Sequence, residues 1–511
     1  MLFNSYTFIF MFLPVTVFLF HAVRQRGYTR GAFFILVLAS LIFYGWWSPR
    51  YLLLLSALIL INFGIAKGAL ASRNRGEEEI CKRLCVLGIV VNLAALGYYK
   101  YANFFIDNIN YFFGLDLYVK SIVLPIGISF FTFQKIAFLA DIHENKIKNF
   151  NLLDFALFVT FFPQLIAGPI VHHSEIMPQF GYFKKISFKT VKVGMAIFII
   201  GLAKKVILAD TAAKFVSPVF NSAAGGMHLD FFAAWSAALA YTVQIYFDFS
   251  AYSDMAIGIS QLFGIDLPIN FDSPYKSKSI IEFWRRWHMT LSRFLRDYLY
   301  IPMGGNKRGK VRRYVNLLLT MLLGGIWHGA GWTYLLWGAL HGMYLAINHG
   351  WCALGEKKSF NKKELKFSSV MGRTLTFLAV VVGWVFFRSS NVGTAFVILK
   401  GMIGFYGIAK PASLSGWSVN IPLSSSPVDS GLGLLTAIAM LTIAWFAPNT
   451  QQLTSYRGPE NTYPALQQRP VSAPQVLAWR PSTEWAVYLG CLFAFCLMLF
   501  SQVSEFIYFQ F

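Results

Sequence analysis

The sequence predicts an all-α polytopic membrane protein, and three observations lead to this fold class. Of the 511 residues, 56% are hydrophobic and 13% are charged, about half the charged share of a soluble domain. The mean hydropathy is +0.53, and apolar runs recur along the chain with basic residues between them. Because lipid admits only helices or closed barrels, and barrel-type alternation is absent, we expect helices in a single membrane-embedded domain over 1–511.

The composition also excludes several other classes of protein. A soluble multidomain chain, a disordered chain and a disulfide-stapled chain do not fit these values. The net charge of +21 would suggest nucleic acid in a soluble protein, but basic residues between apolar runs are typical of cytoplasmic loops and headgroup contacts. The five cysteines form no CxxC pair and the nine histidines no HExxH, so we expect neither nucleic-acid binding nor a metal site.

The first apolar run predicts a retained span. Residues 1–20 have no basic residue ahead of them, and Arg24, Arg26 and Arg30 follow, so we expect no cleavable signal and a periplasmic N-terminus. The positive-inside rule places the basic loops 24–30 and 67–83 in the cytoplasm.

The apolar segments along the whole chain are 5–22, 31–47, 51–67, 84–99, 121–140, 151–171, 191–213, 231–263, 314–327, 332–350, 372–387, 431–447 and 485–502.

Segment 151–171 is predicted to enter the membrane and return on the same side. The loops on either side of it, 143–148 and 184–192, carry lysines and are both expected in the cytoplasm. The run contains Pro163 and Pro169, which interrupt a helix. Non-helical backbone at this depth must be buried in protein or line a cavity.

Residues 276–313 form the most basic stretch, with eleven Lys and Arg against Glu282 and Asp297. Within it, IIEFWRRWHMTLSRFLRDYLYI predicts one amphipathic helix, because aromatic residues and leucines recur at helical spacing. Two interpretations remain open. The stretch is either an interfacial helix held by lipid headgroups or a cationic surface for a phosphorylated donor from the cytoplasm.

Residues 314–350 predict a hairpin within the membrane. Segment 314–327 gives about 21 Å of helix, short of a full crossing of about 30 Å. The patch HGAG at 328–331 breaks the helix, and the chain then returns to a basic loop at 356–373. His328 is therefore expected inside the membrane near the tip of the hairpin, with His341 roughly 15 Å back toward the cytoplasm.

In the C-terminal part, residues 411–430 are expected to form an external loop and residues 448–484 an internal loop.

Ionisable residues at membrane depth are hypotheses for a functional site, because burying them there is unfavourable. His328 is the main candidate, since GGIWHGAGW places it between glycines and tryptophans, including Trp327, and histidine transfers protons near neutral pH. A structural histidine that bonds to a neighbouring helix is the alternative. His288 in RRWHMTLS is either a functional residue or an interfacial histidine near the cytoplasmic face. His341 in GALHGMY, flanked by Leu and Gly, is either functional or structural.

Two further groups of charged residues lie within apolar runs. Asp248 and Asp254 in YFDFSAYSDMAIG either form polar contacts between helices or line a reaction chamber. Lys204 and Lys205 in GLAKKVILAD either extend toward the interface or face a donor phosphate. No glycine-rich phosphate loop and no GxSxG nucleophile elbow occurs in the sequence.

A resemblance to a known family runs nearly end to end and is densest over 121–388. It is carried by LPIGISFFTFQKIAFLADIH, FFPQLIAGPI, YFDFSAYSDMAIGISQLFGI, INFDSPYKSKSIIEFWRRWHMTLSRFLRDYLYIPMGGN, LLTMLLGGIWHGAGWTYLLWGALHGMYLA and FIYFQF. These stretches resemble the membrane-bound O-acyltransferase family, and most of all its bacterial branch typified by the alginate O-acetyltransferase membrane subunit.

The resemblance implies a ring of about 11 to 13 transmembrane or re-entrant helices around a central tunnel, with its catalytic core at 121–388. The family's near-invariant histidine matches His328 in WHGA, and its second polar position matches His288 in WRRWH. A cytoplasmic donor, expected to be acetyl-CoA, would feed the tunnel in the bacterial inner membrane. A separate periplasmic transferase would complete O-acetylation of an exopolysaccharide such as alginate, and no other cofactor is expected.

These residues suggest roles in acyl transfer. His328 is expected to act as a base or as a transient nucleophile, with His341, Asp254 and Trp327 in support. The oxyanion would be stabilised by backbone N–H groups of 329–331 or by His288.

The cationic residues Arg285, Arg286, Lys204 and Lys205 would suit the phosphates of the donor.

The rival interpretation of the whole chain is a transporter or scaffold for acetyl groups that performs no chemistry. Peptidoglycan, cellulose and teichoic acid remain alternatives to alginate as acceptor.

Overall fold

The computed structural model describes residues 1–118, 122–181, 186–355, 362–408, 429–459, 462, 478–500 and 506–507. Within these ranges every regular element is a helix, which confirms the all-α prediction. The helices are α1 (Thr7–Gln25), α2 (Thr29–Gly45), α3 (Pro49–Asn74), α4 (Glu78–Phe113), α5 (Ile128–His143), α6 (Leu152–Thr160), α7 (Phe162–Leu165), α8 (His173–Ile176), α9 (Pro178–Gly181), α10 (Phe188–Ala203), α11 (Asp210–Ala224), α12 (Phe231–Leu262), α13 (Ile280–Trp284), α14 (Met289–Leu295), α15 (Lys310–His328), α16 (Trp332–Gly355), α17 (Lys362–Arg388), α18 (Val392–Met402), α19 (Ser430–Phe446), α20 (Thr450–Thr454) and α21 (Thr483–Met498).

Four helical segments in the described part of the chain are long and apolar enough to cross a membrane. They are α1, α3, α4 and the part of α17 over Ser369–Arg388. Large apolar side chains on these helices are exposed, for example Phe18 at 71% and Leu53 at 72%. An apolar surface of this kind is stable only against lipid or another apolar partner, so the chain is a multi-pass membrane protein.

The chain divides into two compact units. The first comprises Met1–Leu202, Tyr252–Ile269 and Thr454–Cys491, and the second comprises Ala203–Ala251, Asn270–Leu453 and Leu492–Phe511. The long helix α12 contributes residues to both units.

Close backbone packing and a buried amide pair hold the first unit together. A Cβ added at Gly194 of α10 would lie 2.7 Å from the carbonyl oxygen of Gly258 of α12, so only glycine allows the two helices to approach so closely. Asn62 of α3 and Asn92 of α4 exchange side-chain hydrogen bonds of 3.3 and 2.5 Å. Such bonds between helices replace contacts that neither amide could make with lipid.

The predicted interruption of segment 151–171 is present in the first unit. Helix α6 ends at Thr160, and α7 covers four residues that include Pro163. Ser40 Oγ accepts a 3.1 Å hydrogen bond from the N–H of Phe162, and Gln164 Nε2 donates one of 2.9 Å to the carbonyl of Phe158. Polar side chains thus form hydrogen bonds with the backbone groups that the break leaves without helical partners. Such bonds are needed wherever no water can reach the backbone.

In the second unit, α15 and α16 form the predicted hairpin. A Cβ at Gly338 would overlap the carbonyl oxygen of Met321, and one at Gly325 would overlap that of Tyr334. The two helices therefore meet backbone to backbone. Helix α15 begins at Lys310, four residues before the expected start, because its first turn lies in the basic region.

Two predicted loops contain helix in the structure, one further helix was not predicted, and one predicted loop lies almost wholly outside the described residues. The expected loop 356–373 becomes helical at Lys362. The apolar pattern did not predict α18, whose 11 residues begin at an Asn391 cap that accepts a 2.8 Å hydrogen bond from the N–H of Thr394. The expected loop 411–430 lies outside the described residues except its last two, and 448–484 is described in part and contains α20.

Candidate active site

His288 lies at a break between two short helices. The sequence predicted one amphipathic helix over 280–301, and this prediction is wrong, because α13 ends at Trp284 and α14 begins at Met289. His288 adopts φ +41°, a left-handed conformation that bulky residues rarely take. Asn270 stabilises the break, since its carbonyl accepts a 2.9 Å hydrogen bond from the N–H of Met289. The tertiary contact replaces the helical bond that the periodicity predicted.

The His288 side chain is fully buried. Its Nδ1 lies 3.1 Å from Asn270 Oδ1, and its ring meets the edge of Phe249 at a centroid distance of 4.7 Å. These contacts fix both the position and the plane of the imidazole. His288 is therefore not an interfacial residue among lipid headgroups.

His328 is the last residue of α15, where the helix ends at the predicted glycine break. It is 4% exposed, and its ring centroid lies 5.1 Å from Trp337, 5.2 Å from Phe387 and 6.5 Å from His288. Trp327 lies next to both histidines, 4.8 Å from His328 and 6.2 Å from His288. The structure thus brings together the two histidines that the sequence suggested as catalytic.

His341 on α16 is a third member of this cluster. Its ring lies 4.8 Å from Trp337, and its Nδ1 accepts a 3.3 Å hydrogen bond from Trp284 Nε1. An indole N–H only donates, so neutral His341 carries its proton on Nε2. Within the described part of the chain this Nε2 has no hydrogen-bond partner, and a Cβ added at Gly383 would lie 2.8 Å from it.

The glycines beside His328 have a structural role in this conformation. A Cβ at Gly329 would overlap the ring of Tyr334, so this glycine lets the ring cover the backbone. The N–H of Gly329 donates to the carbonyl of Gly325 at 3.4 Å, and the N–H of Gly331 donates to that of Gly329 at 3.1 Å. Two of the backbone donors expected to stabilise an oxyanion are thus engaged within the chain.

Lys205 lies in a buried ion cluster. Its Nζ is 2.8 Å from Asp210 Oδ1 and 2.7 Å from Asp248 Oδ1, and Asp248 Oδ2 accepts a 2.9 Å hydrogen bond from the N–H of Ile507. Its ammonium balances the charges of these two carboxylates, and its contact with a donor phosphate stays a prediction. Asp248 accordingly makes the polar contacts between segments that the sequence offered as one of two interpretations. Asp254 is buried in the first unit.

The other basic candidates divide into paired and exposed residues. Arg286 forms ion pairs with Glu282 at 2.8 Å and Asp272 at 3.6 Å. Partial burial alone would raise the pKa of Glu282, but the backbone N–H of Lys278 and the Arg286 guanidinium lower it below its usual value.

Arg285 and Lys204 are the remaining basic candidates, and donor binding by them stays a prediction. Arg285 is exposed. Lys204 is half-buried, with Nζ 6.0 Å from the ring centroid of Tyr246.

Sequence reasoning missed two residues of the site. Asn270 lies within INFDSPYK, one of the stretches that carry the family resemblance, but nothing in the pattern distinguished it from an ordinary loop residue. Trp337, which packs against both His328 and His341, follows the helical period of α16 and looked like any core aromatic.

The fold and the site together define an integral membrane protein with a buried histidine centre. A model of the membrane-bound O-acyltransferase family matches residues 109–388, which is more than half of the chain. The chain belongs to the membrane-bound O-acyltransferase family, and it is an acyltransferase.

Curated relatives extend the likeness beyond this region. A peptidoglycan O-acetyltransferase of Helicobacter pylori is 43% identical over 440 residues, which are 80% of this chain and 81% of the relative. A probable alginate O-acetylase AlgI of Pseudomonas aeruginosa is 38% identical over 544 aligned positions that cover 100% of both chains. A teichoic acid D-alanyltransferase of Streptococcus thermophilus is 29% identical over 52% of this chain and 69% of its own length.

Proposed function

We propose that the chain takes acetyl groups from a cytoplasmic donor, acetyl-CoA, and passes them across the bacterial inner membrane for O-acetylation of an exopolysaccharide. Alginate or a similar polymer is the acceptor we favour, because a relative that aligns over the full length of both chains is named a probable alginate O-acetylase. The observation that carries the proposal is the buried pair His288 and His328, with ring centroids 6.5 Å apart.

The transfer step uses His328 as a general base. Its unprotonated ring nitrogen takes the proton of an incoming hydroxyl group, and the hydroxyl oxygen attacks the thioester carbonyl carbon. The carbon–sulfur bond then breaks, and the leaving thiolate receives the proton from His328. In the alternative route a His328 ring nitrogen attacks the thioester carbonyl carbon, and the carbon–sulfur bond breaks to release the thiolate. The transient acyl-histidine then transfers its acyl group to the hydroxyl oxygen, and the hydroxyl proton goes to the thiolate.

His341 suits the stabilisation of the oxyanion. Its Nε2–H is buried and has no acceptor within the described part of the chain. A donor of this kind stabilises charge that develops on a carbonyl oxygen, especially where water is excluded.

The exposed cationic residues support a cytoplasmic approach of the donor. Arg285 lies on the exposed side of the basic region, and Lys307, Arg308, Lys310 and Arg312 are exposed near the start of α15. Phosphate groups bind such guanidinium and ammonium groups. By the positive-inside rule this face is cytoplasmic and the N-terminus periplasmic.

The relatives that are named for O-acetyl transfer give two candidates for the acceptor. The peptidoglycan O-acetyltransferase shares more identity over a shorter part of the chain, so peptidoglycan is the second candidate. In either case we propose that a separate periplasmic transferase receives the acetyl group. Cells that express the chain would carry new O-acetyl groups on uronate residues in the first case and on muramic acid in the second.

The test measures acetyl-CoA turnover by purified protein in nanodiscs. Replacing His328 with Ala should lower turnover by about 10²–10⁴-fold while the protein elutes as wild type. His228→Ala is the control, because His228 is exposed and stacks on Tyr406 at 4.2 Å. Equal turnover in the two variants would remove His328 from the mechanism, and no turnover in any sample would favour the scaffold interpretation.

A further inference from the structure

The hydrogen bonds around Asn270 determine which ring nitrogen of His288 carries the proton. One terminal atom of the Asn270 amide lies 3.3 Å from the backbone N of Thr290 and 2.9 Å from Thr290 Oγ1. A backbone N–H only donates, so this atom is the oxygen Oδ1 and not the nitrogen of a flipped amide. The same oxygen lies 3.1 Å from His288 Nδ1.

An amide oxygen only accepts hydrogen bonds, so His288 Nδ1 must donate. Neutral His288 therefore carries its proton on Nδ1 and has a lone pair on Nε2, which is buried. His341 has the opposite tautomer, because Trp284 donates to its Nδ1. Two histidines in one buried cluster are thus fixed with opposite functions at Nε2, an acceptor on His288 and a donor on His341.

The backbone supports the same arrangement. His288 has φ +41° and ψ 55°, a conformation that persists only when surrounding contacts enforce it. Asn270 supplies those contacts from its carbonyl and from its side chain, to Met289 and Thr290. A residue 18 positions earlier in the chain thus sets both the backbone and the ring orientation of His288.

We propose that Asn270 is a positioning residue that holds His288 as a proton acceptor at Nε2. This inference rests on the proposed function, in which His288 belongs to the reaction centre with His328. It reverses the role that the sequence suggested for His288, since a neutral ring with an Nε2 lone pair cannot donate to an oxyanion. After His328 has taken the proton of the incoming hydroxyl, His288 instead accepts that proton at Nε2 from protonated His328, and the proton returns through His328 when the thiolate leaves.

The first test is spectroscopic and needs no catalysis. In protein with ¹⁵N-labelled histidine in nanodiscs, ring nitrogens with and without a proton differ widely in chemical shift, and His288→Gln identifies the His288 signals. We expect the Nδ1–H tautomer in wild type and in Asn270→Asp, which keeps an acceptor oxygen. Asn270→Ala should lose that preference. An Nε2–H tautomer in wild type would overturn the inference, as would an unchanged tautomer in Asn270→Ala.

The second test separates positioning from stability. Asn270→Ala should lower kcat at least tenfold with an unchanged KM for acetyl-CoA, and Asn270→Asp should recover part of that loss. Asn316→Ala is the matched control, because Asn316 is equally buried but bonds to the carbonyls of Met303 and Gly305. Asn316→Ala should leave the His288 tautomer unchanged.

If Asn316→Ala shifts the His288 signals as much as Asn270→Ala does, the effect is general loosening and the inference fails. If wild-type protein shows the Nδ1–H tautomer but no turnover, the proposed function fails while the structural assignment stands.

Discussion

Replacing Lys205 with Met should strongly destabilise the second unit. The ammonium lies 2.8 and 2.7 Å from carboxylate oxygens of Asp210 and Asp248, and all three groups are buried. At an effective dielectric constant of about 20, each contact gives roughly 6 kcal/mol of Coulomb attraction before desolvation is subtracted. Removal of one partner from a buried ion cluster typically costs about 3–5 kcal/mol, because the remaining charges are left unbalanced.

The adjacent lysine provides a matched control. Lys204 is half-buried, and its Nζ lies 6.0 Å from the ring centroid of Tyr246, a contact worth about 0.5–1 kcal/mol. Lys204→Met should therefore shift the apparent melting temperature in detergent far less than Lys205→Met. A triple variant that combines Lys205→Met with Asp210→Asn and Asp248→Asn should recover much of the lost stability, since no buried charge remains.

The same pair of variants tests the donor-binding hypothesis from the sequence. A Lys205→Met protein that melts like Lys204→Met would refute the argument from the buried ion cluster. If that protein also shows a raised KM for acetyl-CoA, Lys205 contacts the donor after all. A large loss of stability without a specific rise in KM is the result we expect.

Two substitutions of glycine by alanine test the packing around the histidines. In Gly383→Ala, the new Cβ would lie 2.8 Å from His341 Nε2, so turnover should fall while the protein remains folded. The control is Gly350→Ala, because no atom lies within 4 Å of a Cβ added at Gly350. Equal turnover in the two variants would contradict this placement of His341. In Gly338→Ala, the Cβ would overlap the carbonyl of Met321, so the free energy of unfolding should fall by about 1–3 kcal/mol. The melting temperature should therefore be lower than that of Gly350→Ala. Equal melting temperatures would show that the two helices separate without strain.

Local patterns predicted the elements of this fold well where they depend on composition. Apolar runs identified most helices, and Pro163 marked the interruption between α6 and α7. The glycine-rich patch after His328 predicted the end of α15. These features are local, because they follow from hydrophobic length and from residues that cannot continue a helix.

The same reasoning failed where distant residues override a local pattern. The periodicity over 280–301 continues through His288, but α13 ends at Trp284, and Asn270 accepts hydrogen bonds from the backbone at the start of α14. The orientation of Lys205 was unpredictable for a related reason. Residues Lys204–Ala209 form a π-helical turn, which shifts the register of a helix and so changes which of two neighbouring lysines faces inward.

The sequence by itself determined that this chain is a helical membrane protein, that it resembles one acyltransferase family, and that a helix ends at His328. Only the tertiary structure decided which polar groups meet: His328 with His288 and Trp337, His341 with Trp284, and Lys205 with two carboxylates. The physical reason is that hydrophobic length and helix breakers act within a few residues, whereas a buried polar group must find its partner wherever the fold supplies one.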